Sequence, residues 1–280
     1  MEELRVLAYA KLNLILRVVG RRDDGYHLLQ TLMCAVDLYD ELSLVEADDL
    51  KVEMGGLEIP AGENLVLRAA RLLREHAGLR KGAHIRLIKK IPVGAGLGGG
   101  SSDAAAALAG LNRLWGLGLS RAELQEIGLE LGADVPFFFS DSPAWVEGIG
   151  EKLTPASVPL PAAFLILVPP FPCPTPEVYR LYDELGVPFS CPVRLEGELP
   201  GWENDLWPAA LRLRPRLAEL RRTLAGLGGL GVGMSGAGSA LFCAFTSLDQ
   251  AGKAAQSLKN TVEGKLFVAA PVPRGYKFAA

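Results

Sequence analysis

A glycine-rich segment between a strand pattern and a helix pattern most constrains what this chain of 280 residues can fold into. Residues 92–105 read PVGAGLGGGSSDAA. Residues 84–91 before it alternate apolar and polar side chains, as a half-buried strand does, and residues 104–114 after it carry alanine and leucine at helical spacing. Glycines let the backbone approach an anion closely, and the first N–H groups of a helix have no partner within it. The segment therefore predicts a phosphate-binding loop.

Other nucleotide-binding motifs fit this segment less well. The pattern G-x-G-x-x-G occurs at 94–99, but it recurs at 231–236. A dinucleotide-binding fold also needs an acidic residue at the end of a second strand about 20 residues on, whereas residues 115–123 read as a turn and a helix start. A Walker A loop needs a lysine directly after its glycines, whereas the next lysine here is Lys152. The chain also lacks the H-R-D and D-F-G signatures of protein kinases. A flexible glycine-rich linker is disfavoured by the ordered patterns on both sides.

The loop resembles the second motif of the GHMP kinases, the family of galactokinase, homoserine kinase, mevalonate kinase and phosphomevalonate kinase. That motif usually reads Pro-x-x-x-Gly-Leu-Gly-Ser-Ser-Ala, and this chain has two additional glycines before Ser101. The resemblance implies an ATP-dependent kinase that also requires Mg²⁺. It assigns ATP binding to Pro92, Val93, Gly94, Ala95, Gly96, Leu97, Gly98, Gly99, Gly100, Ser101 and Ser102.

The N-terminal segment Ala8–Leu14, AYAKLNL, is similar to the opening motif of the same family. Strand alternation places Tyr9, Lys11, Asn13 and Ile15 on one face. Alone, this face would be interpreted as the solvent side of an edge strand. Together with the glycine loop it predicts a site, in which Lys11 stabilises charge at a reacting hydroxyl and Asn13 orients the substrate.

A single carboxylate, Asp134, stands in the segment GADVPFFF at residues 132–139. An aspartate at such a place often only marks a turn or a helix end. The three phenylalanines after it indicate a buried neighbourhood, where an ionised carboxylate needs a partner, and Lys11 is the expected one. The segment also resembles a GHMP kinase motif whose aspartate is the proposed catalytic base, which implies that role for Asp134.

The segment Asp23–His27, DDGYH, combines a hairpin-turn signal with two rings. Composition alone favours a half-buried tyrosine and a surface histidine. The sequence nevertheless resembles the cytidine-recognition segment of one branch of the GHMP kinases, which phosphorylates a cytidine diphosphate-linked alcohol in isoprenoid biosynthesis. This resemblance implies that Tyr26 and His27 bind the substrate's base.

Two further site residues follow mainly from the resemblance. Thr175, in Pro-Thr-Pro-Glu, resembles a substrate-binding threonine, while its local signal predicts the N-cap of a helix that runs to Leu185. Asn64 is first of all the predicted N-cap of the helix 65–76, and only the family places ATP beside it.

The glycine-rich segment 233–240 is similar to the third GHMP motif and is expected to pack beside the phosphate loop through its backbone. Asp103 poses a conflict, because a carboxylate at a helix start would repel bound phosphates. Either its side chain turns away or a magnesium ion bridges it to the nucleotide. The Mg²⁺ ligands remain open, and the hydroxyls of Ser101 and Ser102 are candidates.

Composition restricts the remaining functions. The formal net charge is −3 and no basic patch stands out, so nucleic acid is not an expected partner. The N-terminus does not have the form of a signal peptide, and no apolar run reaches the ~18 residues of a membrane helix, so we expect a cytoplasmic protein without a membrane partner. The four cysteines are scattered and predict free thiols rather than a zinc site. The oligomeric state remains open.

The mixed order of strands and helices predicts an α+β fold. A segment rich in proline, alanine and serine at 154–161 divides the chain into an ATP-binding domain, 1–155, and a substrate-binding domain, 156–280. In the second we expect one long helix over 208–227 and a last strand over 266–270. The resemblance implies a ribosomal-S5-like first domain and a ferredoxin-like second domain. Two alternatives remain: a GHMP kinase for another alcohol, of the mevalonate or homoserine type, and a catalytically silent nucleotide-binding regulator.

Overall fold

The computed structural model describes residues 3–55, 64–193 and 201–279, and these residues form an α+β fold. The strands are β1 (Leu4–Arg21), β2 (His27–Ala47), β3 (Leu50–Met54), β4 (Gly82–Ile88), β5 (Ala144–Gly148), β6 (Lys152–Pro155), β7 (Ala163–Val168), β8 (Gly231–Met234), β9 (Leu241–Phe245), β10 (Lys265–Ala269) and β11 (Tyr276–Phe278). The helices are α1 (Leu65–His76), α2 (Gly99–Leu114), α3 (Arg121–Leu129), α4 (Thr175–Leu185), α5 (Trp207–Leu213), α6 (Leu217–Ala225) and α7 (Leu248–Leu258), with a 3-10 turn at Pro136–Phe139.

Within the described residues the first sheet contains seven strands, built around the long antiparallel hairpin of β1 and β2. Its main order is β11-β1-β2-β4-β3. Strand β5 pairs with the other end of β2, and β6 pairs with β5. Helices α1, α2 and α3 contribute apolar residues to one shared core with this sheet. Helix α2 is buried over residues 102–111, which agrees with its run of alanines.

The second sheet has the antiparallel order β10-β7-β9-β8. Its chain order, strand–helix–strand–strand–helix–strand, is ferredoxin-like, as expected. Leu165 and Leu167 of β7 face the core formed with α4–α7, while Phe164 and Ile166 belong to a second core that includes Leu12 of β1. Strand alternation in β7 thus buries both faces and joins the two sheets through one apolar layer.

The predicted division at residue 155 falls between β6 and β7, and β11 returns to the first sheet by pairing with β1. Strand β11 was absent from our sequence-based prediction. None of the helices in the described ranges is long and apolar enough to cross a membrane.

The single long helix predicted over 208–227 is wrong, because the structure has two helices, α5 and α6, on either side of Pro215. A proline lacks the backbone N–H and disfavours helical geometry at the residue before it. Arg214 accordingly leaves the helical region, with φ −135° and ψ 82°.

The prediction that Ile15 shares a face with Lys11 and Asn13 is wrong, because the pairing of β1 with β2 is irregular. The register between β1 and β2 shifts between Asn13 and Ile15, so that Ile15 joins the apolar core that contains Leu12 and Leu14. A bulge adds one residue to a strand and breaks the simple alternation that we assumed. Lys11 and Asn13 do remain neighbours, as predicted.

Several local predictions are confirmed. Asn64 caps α1, its side chain accepting the N–H groups of Val66 and Leu67. The sequence Ser120-Arg121-Ala122-Glu123 predicts a capping box, and Ser120 and Glu123 form one at the start of α3. The turn between β1 and β2 has Gly25 at φ +91°, a conformation that glycine adopts without steric cost.

Candidate active site

The glycine loop connects β4 to α2 and surrounds a cavity of about 390 Å³. Gly98 occupies the N-cap of α2 in the left-handed region, at φ +69°, and leaves the first N–H groups of the helix without side-chain caps. Every residue to which we assigned ATP binding lines this cavity except Ser102. Its hydroxyl instead donates a hydrogen bond of 2.6 Å to the carbonyl oxygen of Tyr9. Asn64 lines the cavity as well as capping α1.

The third glycine-rich segment holds the loop through its backbone, as expected. The N–H of Ala240 donates to the carbonyl of Ala95 at 3.1 Å. Gly96 has φ +79°, and a Cβ added there would overlap the carbonyl oxygen of Ser235. Only glycine permits this close approach.

Ser235 is a buried residue that our sequence analysis did not single out. Its hydroxyl donates to the carbonyl of Gly96 at 2.8 Å and accepts the backbone N–H of Asn13 at 3.1 Å. One side chain therefore joins β1, the glycine loop and the third glycine-rich segment. A serine within a glycine-rich turn gives no local sign of such distant partners.

Lys11 and Asp134 form the predicted ion pair, with 3.4 Å between Lys11 Nζ and Asp134 Oδ2. The lysine side chain is 3% exposed and the aspartate 35% exposed. Lys11 also donates to the side-chain oxygen of Asn13 at 2.5 Å, and the Asn13 amide in turn donates to Thr31 Oγ1 at 2.9 Å. The lysine is thus oriented by two polar partners, while the carboxylate keeps contact with solvent.

The lysine also touches the end of the phosphate loop. A Cβ added to Gly98 would lie 2.8 Å from Lys11 Cγ and 3.1 Å from Phe138 Cζ. The phenylalanines at 137–139 are buried, as predicted, and they fix the turn that presents Asp134. The geometry therefore brings a carboxylate and an ammonium group to the loop, which is the arrangement needed to orient and deprotonate a hydroxyl beside a phosphate.

His27 packs against helix α4, whereas Tyr26 is exposed to solvent. The His27 ring stacks on Tyr179 of α4, with 4.8 Å between centroids, and its Nε2 lies 2.7 Å from Asp183 Oδ1. Tyr182 approaches the same ring edge-on at 5.9 Å. Tyr26 is 65% exposed at the tip of the hairpin.

Tyr179 was not among the predicted site residues, although a signal for it exists. Tyr179, Tyr182 and Asp183 are spaced i, i+3, i+4 in a helix, which places their side chains on one face. Burial raises the pKa of the Tyr179 hydroxyl, and the charge of Asp134 raises it further. Tyr179 is therefore a neutral phenol that stacks on His27 and is close enough to Asp134 to be affected by its charge.

The predicted N-cap role of Thr175 is wrong. Pro174 occupies the cap position, Thr175 is the first helical residue, and no side chain caps the backbone there. Two prolines flank Thr175 and fix the extended backbone at 174. Thr175 is exposed one turn before Tyr179, on the side of α4 that carries the His27 contact.

Asp103 forms an ion pair at the edge of the loop cavity. Its Oδ2 lies 2.6 Å from Lys89 Nζ, and the carboxylate is 5% exposed. Among the described residues, no group of three or more His, Cys, Asp or Glu side chains could hold a metal ion. The four cysteines are free thiols, as predicted.

Comparison with known proteins decides the family. The profile described as GHMP kinases N terminal domain matches residues 64–142, and the profile described as GHMP kinases C terminal matches residues 197–264. The chain belongs to the GHMP kinase family. It is a small-molecule kinase with ATP as the phosphoryl donor.

Individual relatives in this family match over nearly the whole chain. A protein of Syntrophotalea carbinolica named 4-diphosphocytidyl-2-C-methyl-D-erythritol kinase is 44% identical over 276 residues, covering 95% of this chain and 98% of its own. A protein of the same name from Ralstonia nicotianae is 45% identical, covering 92% of this chain and 91% of its own.

Solved structures give the same result. A crystal structure of 4-(cytidine 5'-diphospho)-2C-methyl-D-erythritol kinase is 39% identical to this GHMP kinase with a TM-score of 0.80, and the match covers 95% of this chain and 99% of that one. A homoserine kinase from Cytophaga hutchinsonii shares the fold, with a TM-score of 0.73 at 20% identity, covering 100% of this chain and 98% of that one.

Proposed function

We propose that this GHMP kinase transfers the γ-phosphoryl group of ATP to the 2-hydroxyl of 4-diphosphocytidyl-2-C-methyl-D-erythritol, giving the 2-phosphate and ADP in the non-mevalonate isoprenoid pathway. The observation that carries the proposal is the Lys11–Asp134 pair beside the glycine-loop cavity, in a chain similar throughout to kinases of that name. Both substrates are charged, water-soluble nucleotides, and for this reason the proposal places the reaction in the cytoplasm.

Asp134 is the proposed general base. As the substrate oxygen forms its bond to the γ-phosphorus, the bond from that phosphorus to the β–γ bridging oxygen breaks and ADP leaves. Asp134 accepts the proton of the hydroxyl late in this step. Its partial exposure leaves one side of the carboxylate accessible to substrate, while Lys11 contacts the other.

Lys11 is the proposed charge-stabilising residue. It is almost fully buried, and the Asn13 amide oxygen holds its ammonium group in place. A preorganised cation in a site of low dielectric stabilises developing negative charge more strongly than the same cation in water. Asn13 thus acts partly through Lys11 and partly by orienting the substrate.

The helix N-terminus and the loop backbone are proposed to bind the triphosphate. The unpaired N–H groups after Gly98 point to the phosphate position. Ser102 and Asp103 already have protein partners, Tyr9 and Lys89, whereas Ser101 lines the cavity. Mg²⁺ therefore fits this site as an ion that arrives with the nucleotide. Ser101 would hold it, and when bound it offsets phosphate charge.

The cytidine base is proposed to bind at the β1–β2 hairpin. His27 is held by Tyr179 and Asp183, so that its ring has a defined orientation. Tyr26 is the exposed ring that covers the base, and Thr175 lies one helical turn before Tyr179. A base-specific site at this hairpin separates the proposed substrate from mevalonate and homoserine, which have no base.

A coupled ADP-release assay with ATP and Mg²⁺ tests the proposal. It compares the diphosphocytidyl substrate with mevalonate, homoserine and galactose, and the Asp134→Asn variant serves as the blank for background ATP hydrolysis. Turnover confined to the diphosphocytidyl substrate supports the proposal. Turnover on another alcohol overturns the substrate assignment, and ATP binding without turnover on any of the four indicates the silent regulator.

A further inference from the structure

A buried cluster of three charges stands where β4 leads into the glycine loop. Lys89 Nζ lies 2.5 Å from Asp40 Oδ2 and 2.6 Å from Asp103 Oδ2. The exposed fractions of the three side chains are 9% for Lys89, 0% for Asp40 and 5% for Asp103. One ammonium group therefore serves two buried carboxylates.

The two carboxylates are not equally satisfied. Asp40 Oδ1 accepts the backbone N–H groups of Lys90 and Ile91, the latter at 2.8 Å, so both of its oxygens are engaged. Asp103 Oδ1 is buried and has no hydrogen-bond partner among the described residues. The surplus negative charge of the cluster consequently belongs to Asp103.

This surplus lies close to the proposed phosphate position. Lys89 and Asp103 both line the glycine-loop cavity, and a Cβ added to Gly99 would lie 3.3 Å from Lys89 Nζ. Gly99 is the first residue of α2, and Asp103 stands just over one turn later in the same helix. An uncompensated carboxylate there would oppose the binding of a polyphosphate.

We propose that Lys89 is a positioning residue for nucleotide binding, which offsets part of the charge of the Asp103 carboxylate and holds that carboxylate away from the phosphates. Asp40 anchors Lys89 and, through the two N–H groups, fixes the backbone at the start of the loop. Two of the three ammonium donors of Lys89 are engaged by carboxylates. On this proposal Lys89 acts through Asp103 and not by binding phosphate itself. The inference depends on the proposed function only in that ATP is the ligand.

The first test measures binding of adenylyl imidodiphosphate, a non-hydrolysable ATP analogue, by calorimetry in buffer with MgCl₂. Lys89→Met should weaken binding by about tenfold or more, since it leaves two like charges beside the phosphates. Lys90→Met is the matched control, because Lys90 is exposed and its ammonium lies over the Tyr39 ring instead. It should bind the analogue within about twofold of the unchanged protein.

Rescue distinguishes positioning from direct phosphate contact. The double variant Lys89→Met/Asp103→Asn removes the carboxylate that Lys89 neutralises, so binding should return to within about threefold of the unchanged protein. If Lys89 bound phosphate directly, the double variant would bind as weakly as Lys89→Met, and the proposal would be overturned. Unchanged binding by Lys89→Met would overturn it as well.

A third variant covers the case in which Lys89→Met does not fold. Asp103→Asn alone should bind the analogue at least as tightly as the unchanged protein, because the surplus charge is gone. Weaker binding would assign Asp103 to the magnesium ion or the nucleotide and contradict the inference. These measurements need no alcohol substrate. The inference can therefore be tested even if the proposed reaction is wrong.

Discussion

The Lys11 ammonium group and the Asp134 carboxylate lie 3.4 Å apart, with the lysine 3% exposed and the aspartate 35% exposed. Lysine is seldom buried to this degree without a partner. The pair is asymmetric, because the protein encloses the cation, while the carboxylate borders open space. In the proposed reaction, a hydroxyl that enters this space meets the Asp134 carboxylate first, and the Lys11 ammonium stabilises the charge behind it.

Asp134→Asn should reduce turnover by at least about 100-fold, the usual size of the effect when a general base is lost. Asparagine keeps the shape and loses the proton acceptor, so binding of the ATP analogue should persist. Steady-state kinetics and calorimetry measure the two effects separately. Asp141→Asn is the control, since Asp141 is exposed and pairs with Arg121 at 3.4 Å. Turnover of Asp134→Asn close to that of Asp141→Asn would exclude Asp134 as the base.

Gly96→Ala and Gly94→Ala form a matched pair within the loop. Both glycines have positive φ, +79° and +69°, so alanine is strained at either position. Only at Gly96 would the new Cβ also overlap the Ser235 carbonyl, since nothing lies within 4 Å of a Cβ at Gly94. We expect Gly96→Ala to lose ATP-analogue binding and to lower the melting temperature more than Gly94→Ala. Equal effects of the two would mean that strain, not contact, governs the loop.

Ser235→Ala should destabilise the protein by about 1–3 kcal/mol, because the N–H of Asn13 loses its acceptor in a buried position. Urea unfolding monitored by fluorescence gives this free energy. Ser257→Ala is the control, as its hydroxyl donates only to the carbonyl of Ala254 within α7. A difference of less than a few tenths of a kcal/mol between the two variants would contradict the bridging role of Ser235.

Asp103→Asn should change how stability depends on pH. Burial raises the pKa of Asp103 well above its ordinary value of 3.8, Lys89 opposes this rise, and Asp40 adds to it. A carboxyl with a raised pKa in the folded state favours folding while it is protonated, and this contribution is lost as pH rises from 3.8 through the folded-state pKa. Above that window the ionised carboxylate is a net cost.

The difference in unfolding free energy between Asp103→Asn and the unchanged protein should therefore grow in favour of the variant as pH rises. Urea unfolding at several pH values between about 5 and 8 measures it. A difference that stays constant, or that shrinks with pH, would show that Lys89 fully compensates the Asp103 charge.

Local sequence signals predicted the elements around the site. The strand–glycine–helix order of the phosphate loop, the Asn64 and Ser120 caps and the turn at Gly25 all depend on neighbouring residues, and the structure contains each of them. Pro215 is itself a local helix-breaking signal, which our prediction of one helix over 208–227 did not take into account. The ion pair of Lys11 with Asp134 was predicted because an ionised carboxylate in an apolar neighbourhood needs a partner, and the family resemblance supported the same pair.

Only the tertiary structure decided which distant groups meet. Ser235 reaches Asn13 and Gly96, Tyr179 stacks on His27, and Lys89 joins Asp40 to Asp103. The sequence can indicate that a polar side chain is buried and requires a partner. It does not identify that partner, because a contact spans only a few ångströms and many residues could provide it equally well. The packing of the two sheets selects one of them, because it fixes which strand ends and helix starts lie within that range.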